Sequence, residues 1–270
     1  MNDEIKYLIN RAVENILKKM SNKAIVDRLA HKHAQKIHFI PKSYRIFGGM
    51  LQSMNIQFGN LIEELMSLLV GSENGYEIIS KYSGRKSNTF TLSMANENKI
   101  DAYISECQLQ PDGYCINNFP KLQNSILTDT DTNQHLFKHD IDLLFRNKFT
   151  GKYYYLEIKY NDDHDTGKFV DINRKFIKTY AYLANELHII NAADLTPILF
   201  FFNNKKMKGN PYVPEFTNIR RGRAFFDEFL ADINYQDLND YMTNLSESDD
   251  IEKMFDNLYN KVVKRSDSTR

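Results

Sequence analysis

One stretch constrains this chain more than any other: His139 to Tyr160, HDIDLLFRNKFTGKYYYLEIKY. Asp140, Asp142 and Leu144 alternate with Ile141, Leu143 and Phe145, the period of two that a strand shows. The return run, Tyr153 to Lys159, is aromatic and β-branched enough for a second strand. Between them lies Asn147 to Lys152, with Gly151 available for a tight backbone position. Folding this hairpin symmetrically about Phe149 and Thr150 sets Asp142 opposite Glu157 and Asp140 opposite Lys159. Directly opposed residues have Cβ atoms about 4.5–5.5 Å apart, and residues two apart in a strand share a face. The register therefore predicts that Asp142, Glu157 and Lys159 converge on one side of one hairpin, with Asp140 the alternative to Asp142. A slip of one residue would undo the prediction.

Two carboxylates held that close repel each other, and a hard divalent cation relieves the repulsion. Magnesium takes one or two carboxylates, keeps several waters and accepts substrate phosphate oxygens. An ammonium beside it orients or activates a water and offsets negative charge at a reacting phosphate. Asp142, Glu157 and Lys159 together suit phosphodiester hydrolysis with Mg²⁺; a solvated hairpin face is what the same three residue types would mean alone.

Strand, Asp, hairpin, Glu-x-Lys resembles the core motif of the PD-(D/E)XK nuclease superfamily, carried here by IDLLF (Ile141 to Phe145) and LEIK (Leu156 to Lys159). Ile141-Asp142 stands where the literal Pro-Asp would be. FGNLIEEL, from Phe58 to Leu65, is similar to the helix that precedes this core and adds an acid. NIRRGRAFFDEFL, from Asn218 to Leu230, is similar to a Gly-then-aromatic segment of several type II restriction endonucleases, and the nearest likeness is to the group that cuts GANTC-type sites. The resemblance covers Phe58 to Leu230. It implies an α/β fold with a restriction-endonuclease-like core, a mixed central sheet flanked by helices. It also implies site-specific cleavage of double-stranded DNA with Mg²⁺, using Asp142, Glu157 and Lys159. Glu63 is implied as a further acid over Glu64, because it stands at Gly59 plus four; the opposing reading puts both glutamates at a helix start for the dipole's sake. A homodimer would match a palindromic site. Two other readings share the residues: a structure-specific repair nuclease, and a DNA-binding protein with a silent nuclease core.

Length and composition agree with such an enzyme. The chain has 270 residues and equal numbers of acidic and basic side chains, 35 each, which argues against a protein that coats nucleic acid non-specifically. Cys107 and Cys115 match no zinc spacing and fit free thiols in a reducing cytoplasm. Met1 to Met20 is charged throughout and is no signal peptide, and no apolar run approaches a membrane span.

Along the chain, apolar spacing predicts an amphipathic helix over residues 2–20 and a second over 22–35, stopped by Pro41. Lys42 to Phe47 with Gly48-Gly49 reads as a loop or short extended piece, and Phe58 to Val70 as a third helix. A strand is expected around Phe90, Leu92 and Met94, a strand pair over Ile100 to Phe119 turning at Pro111 to Gly113, and a loop from Lys121 to His135. A helix over Asp171 to Ile189, a buried strand from Pro197 to Phe202, a helix after Gly222 and a last helix over Ile251 to Val263 complete the reading. One nuclease domain is expected, with a helical portion at 1–57, a core at 58–230 and a tail at 231–270. Basic residues nominated for DNA are Arg85 and Lys86 in the loop SGRKSN, Lys168, Arg174 on its helix, and the group Lys205, Lys206, Lys208, Arg220, Arg221 and Arg223, which faces a single local acid, Glu215. His164 is a conceivable proton shuttle.

Overall fold

A computed structural model describes residues 1, 3–34, 37–86, 89–162, 166–207 and 209–267. In chain order the helices and strands are α1 (Asp3–Met20), α2 (Lys23–Ala34), α3 (Lys42–Ser72), β1 (Tyr76–Ile78), β2 (Thr89–Ser93), α4 (Met94–Leu109), α5 (Tyr114–Leu127), β3 (Gln134–Lys138) and β4 (Leu143–Asn147). There follow β5 (Tyr153–Lys159), α6 (Thr166–Glu186), β6 (Leu195–Phe201), α7 (Glu215–Asn218), β7 (Ile219–Arg221), α8 (Gly222–Phe229), α9 (Tyr235–Ser246) and α10 (Asp249–Asp267). They form two compact units, Met1–Ile62 with Ile233–Arg270, and Glu63–Asp232.

The first unit is helical. Its core joins Leu17 and Met20 of α1, Val26 and Leu29 of α2, Ile46, Met50 and Met54 of α3, and Ile251, Leu258 and Val262 of α10. Residues 42–49, expected as a loop, are instead the first turns of α3. Ile46, Met50 and Met54 stand four apart, so a helix stacks all three on one face. Each glycine in a helix interior costs about 1 kcal/mol relative to alanine, which burial of three large side chains at about 1.5–3 kcal/mol each outweighs. Pro41 stands at the start of α3, its carbonyl accepting from Arg45 N–H at 3.2 Å, and α2 has already ended at Ala34. The tail holds two helices rather than one, and Asn234 caps α9 by accepting from Gln236 N–H at 2.7 Å.

The second unit carries a five-stranded mixed sheet in the order β1-β4-β5-β6-β7. β4 is antiparallel to both β1 and β5, while β6 runs parallel to β5 and β7 parallel to β6. The succession β4, β5, α6, β6 is the expected hairpin, helix and strand, and the mixed sheet between helices is the expected fold class. β2 and β3 form a separate antiparallel ribbon. Period-two alternation splits the main sheet into two apolar faces. Leu144, Tyr155, Leu199 and Phe201 belong to one core with Phe176, Ile177 and Tyr180 of α6. On the opposite face Phe145 and Tyr154 meet Phe229 of α8 at ring centroid distances of 5.6 and 5.0 Å, and Phe200 meets Phe225 at 4.6 Å.

Residues 100–119 are not a strand pair. Ile100, Tyr103, Ile104 and Cys107 repeat at helical spacing and are all buried along α4, and Ser93 caps that helix by accepting from Asn96 N–H at 3.1 Å. Isoleucine and tyrosine favour strands, but the spacing of burial decides between the two. The turn at Pro111 to Gly113 is real and joins two helices; Gly113 adopts φ 89° there, where a side chain would be strained. Residues 121–127, expected in a loop, are the last turns of α5, with Leu122 and Ile126 buried.

Candidate active site

Observed pairing sets Leu143 opposite Leu156 and Phe145 opposite Tyr154, which extends by one residue to Asp142 opposite Glu157. The hairpin therefore has the register that symmetry about Phe149 and Thr150 predicts, with Gly151 at φ 76° in its turn. Asp142, Glu157 and Lys159 meet on the face covered by α6. Lys159 Nζ donates to Glu157 Oε1 at 2.7 Å and to the Ile158 carbonyl at 3.0 Å, and lies 3.7 Å from Asp142 Oδ2. That Oδ2 accepts from the Ile158 backbone N–H at 2.7 Å. Two further residues reach the site. Tyr155 OH donates to Glu157 Oε2 at 3.0 Å, and His139 Nε2 stands 3.1 Å from the same oxygen. Period two along β5 already put Tyr155 on the face of Glu157. His139 carried no signal beyond standing three residues before Asp142.

Electrostatics divides the two carboxylates. Burial and then the Glu157 charge push Asp142 well above the usual carboxylate range, partly offset by Lys159. Burial would raise Glu157 too, but Lys159 and His139 outweigh it and hold it down at about 2. Burial alone would lower Lys159; Glu157 and Asp142 overcome that and raise it above its ordinary value. The two carboxylates thus favour the ammonium form of Lys159, which suits it to donate and to carry charge.

The donor set fits a magnesium ion. Among the described residues no group of three or more His, Cys, Asp or Glu side chains is placed to hold a metal. Asp142 and Glu157 are the two carboxylates that could hold it, leaving positions for water and phosphate oxygens, the distribution Mg²⁺ takes. Burial is the larger cause of the rise at Asp142, and the Glu157 charge is the part that a cation would relieve. Glu63 lies near enough for its charge to raise Asp142 and Lys159 further, but its carboxylate is engaged by Arg85, with Nη2 to Oε2 at 3.1 Å and Nε to Oε2 at 3.3 Å.

Several basic residues nominated for DNA are engaged by the protein's own carboxylates. Besides Arg85, Arg174 bonds Asp101 and Asp171, each at 2.9 Å. Arg220 pairs with Glu228, and Lys206 Nζ lies 3.6 Å from Glu215. Arg221 spans Asp162 and Glu215, each at 2.7 Å. Lys86 donates from its backbone N–H to Asp140 at 3.2 Å and from its ammonium to the Ser80 carbonyl. Lys168, Lys205 and Arg223 are exposed. Lys208 and His164 lie outside the described residues. No helix among the described residues is long and apolar enough to cross a membrane, and both cysteines are free and buried.

No solved structure matches the chain. A family model described as "Type II restriction endonuclease, HinfI" matches residues 1–246. A curated relative, the type II restriction enzyme HinfI of Haemophilus influenzae, is 60% identical over 263 residues, covering 97% of this chain and 99% of that protein. A match of that extent includes both compact units as well as the hairpin, and with it the chain belongs to the HinfI family of type II restriction endonucleases, site-specific deoxyribonucleases.

Proposed function

We propose that this enzyme cuts double-stranded DNA at a GANTC-type site in a Mg²⁺-dependent hydrolysis, with Asp142, Glu157 and Lys159 as its catalytic residues. The convergence of these three on one sheet face, set by the register of β4 and β5, carries the reading. Asp142 and Glu157 would hold the ion. When bound, Mg²⁺ supplies Lewis-acid polarisation of the phosphoryl group and lowers the pKa of water. Lys159, kept cationic between the two carboxylates, donates to the attacking water or to the non-bridging oxygen that gains charge. Water oxygen bonds to phosphorus in line as the bond to the 3′ oxygen breaks; the attacking water gives its proton up to solvent, and solvent supplies the proton that the leaving oxygen takes. Glu63 acts beside the site, holding Arg85 until DNA competes for the guanidinium. The enzyme works as a homodimer, whose two-fold axis would match that of the DNA site, in the cytoplasm of a bacterial or archaeal cell, consistent with two buried free thiols.

The test is digestion of a long duplex with Mg²⁺, beside EDTA, Lys159→Ala and Asp142→Asn. Discrete fragments that vanish in all three controls, with GANTC at the sequenced ends, are expected. A smear would favour a structure-specific nuclease. Intact DNA with binding retained would defeat the catalytic reading.

A further inference from the structure

The mechanism leaves two donors without a task, buried Tyr155 and half-buried His139, and both point at one atom. Glu157 is 4% exposed, and its Oε2 takes the Tyr155 hydroxyl at 3.0 Å and His139 Nε2 at 3.1 Å. An ionised carboxylate is an acceptor only, so the imidazole must present an N–H at Nε2. Each carboxylate oxygen has about two acceptor directions, and Oε2 has both filled. Oε1 has one taken by Lys159 at 2.7 Å. Lys159 also lies 3.7 Å from Asp142 Oδ2, so the ammonium links Oε1 to the Asp142 carboxylate. Glu157 thus offers one oxygen, by one direction, towards its partner carboxylate.

We propose that His139, acting with Tyr155, is a positioning residue that locks the Glu157 carboxylate so that Oε1 alone is presented to the metal. The inference rests on the functional reading above. His139 follows directly on Lys138, the last residue of β3, whose pairing with Thr89 of β2 anchors the backbone there. Gly84 N–H donates to the Ile141 carbonyl at 2.8 Å and secures the other side. The backbone that carries the imidazole is therefore held on both sides. Without it, Oε2 has an open acceptor site, and the carboxylate can turn, bind water or take the ion through both oxygens.

Full-length His139→Ala, His139→Gln and Tyr155→Phe should be compared with wild type and with Lys159→Met. The readouts are the Mg²⁺ midpoint of single-turnover cleavage, Mn²⁺ affinity by calorimetry, DNA affinity in EDTA and thermal midpoint. Partners that orient a metal-binding side chain typically contribute about 10–100-fold in metal affinity. His139→Ala should therefore raise the Mg²⁺ midpoint and weaken Mn²⁺ binding by about that factor, leave DNA affinity unchanged, and regain most of its rate at saturating metal. His139→Gln, whose amide can donate to Oε2, should recover part of the loss. Tyr155→Phe should shift both readouts in the same direction as His139→Ala, and it decides the matter if His139→Ala does not fold. A folded His139→Ala with unchanged midpoint and Mn²⁺ affinity overturns the proposal, whatever its rate. Undiminished cleavage by Lys159→Met would instead overturn the catalytic reading on which it rests.

Discussion

Arg221 distinguishes a cation that binds DNA from one that holds the fold, and replacing it with methionine separates the two. Its guanidinium bonds Asp162 Oδ2 through Nη2 at 2.7 Å and Nε at 3.2 Å, and Glu215 through Nη1 at 2.7 Å and Nη2 at 3.1 Å. The Arg221 side chain is 13% exposed and that of Asp162 2%. Methionine keeps the apolar stem but removes the charge and four hydrogen bonds, leaving the Asp162 carboxylate without its guanidinium. Removing one partner of a buried pair costs about 3–5 kcal/mol. Glu215 is 30% exposed and has Lys206 beside it, so its share is screened and the low end, about 3 kcal/mol, applies. For a unit of this size each kcal/mol moves the thermal midpoint by about 2–4 °C, which predicts a fall of about 6–12 °C for Arg221→Met. Adding Asp162→Asn should return more than half of that, because the isolated charge is gone while Met207 N–H keeps its acceptor. Measured by calorimetry and by DNA binding over a salt series, the single variant should lose stability and keep its salt slope. A midpoint within about 1 °C of wild type, with the logarithmic salt slope reduced by about one, would show a phosphate contact and refute the argument.

Lys159→Met should lower the single-turnover rate by about 10²–10³-fold, as loss of one preorganised donor does, with DNA affinity retained; a fall in affinity that accounts for the rate would contradict the assignment. Because burial and the Glu157 charge raise Asp142, the acidic limb of kcat/KM should lie above the usual carboxylate range, activity being lost as pH falls through that limb. Proton and metal compete for Asp142, so higher Mg²⁺ should move the limb to lower pH, and a limb that ignores Mg²⁺ would exclude this origin. Phe229→Ala removes a ring packed against Phe145, Tyr154 and Phe225, which should cost about 3–5 kcal/mol in denaturant unfolding.

What could be read without coordinates follows from how far each signal reaches along the chain. The hairpin was legible because period two, a turn of fixed length and a central glycine all act within about twenty residues and determine one register. From that register the convergence of Asp142, Glu157 and Lys159 is geometry. Helices α4 and α5 are hidden in the sequence because their β-branched and aromatic residues suggest strands, while the deciding fact, which positions are buried, depends on α6 packing over them. α3 was cut short by reading Gly48-Gly49 as a break, although Ile46, Met50 and Met54 continue the helical face on either side.

Charge pairing has no comparable local signature. Asp162 stands 59 residues before Arg221, and Asp101 stands 73 before Arg174, so part of what balances these cations lies far away in the chain. Arg221 and Glu215, six residues apart, pair at shorter range, and no helix or strand period makes that predictable. His139 falls between these cases: near Asp142 in sequence, yet meaningful only once β3 ends beside β5 and directs the ring at Glu157. If Tyr155→Phe and His139→Ala shift the metal midpoint together, the working boundary of the site is set by which side chains hold the carboxylate oxygens. The three residues of the motif would then be the part that chain periodicity can reveal, and the remainder would depend on strand ends meeting in space.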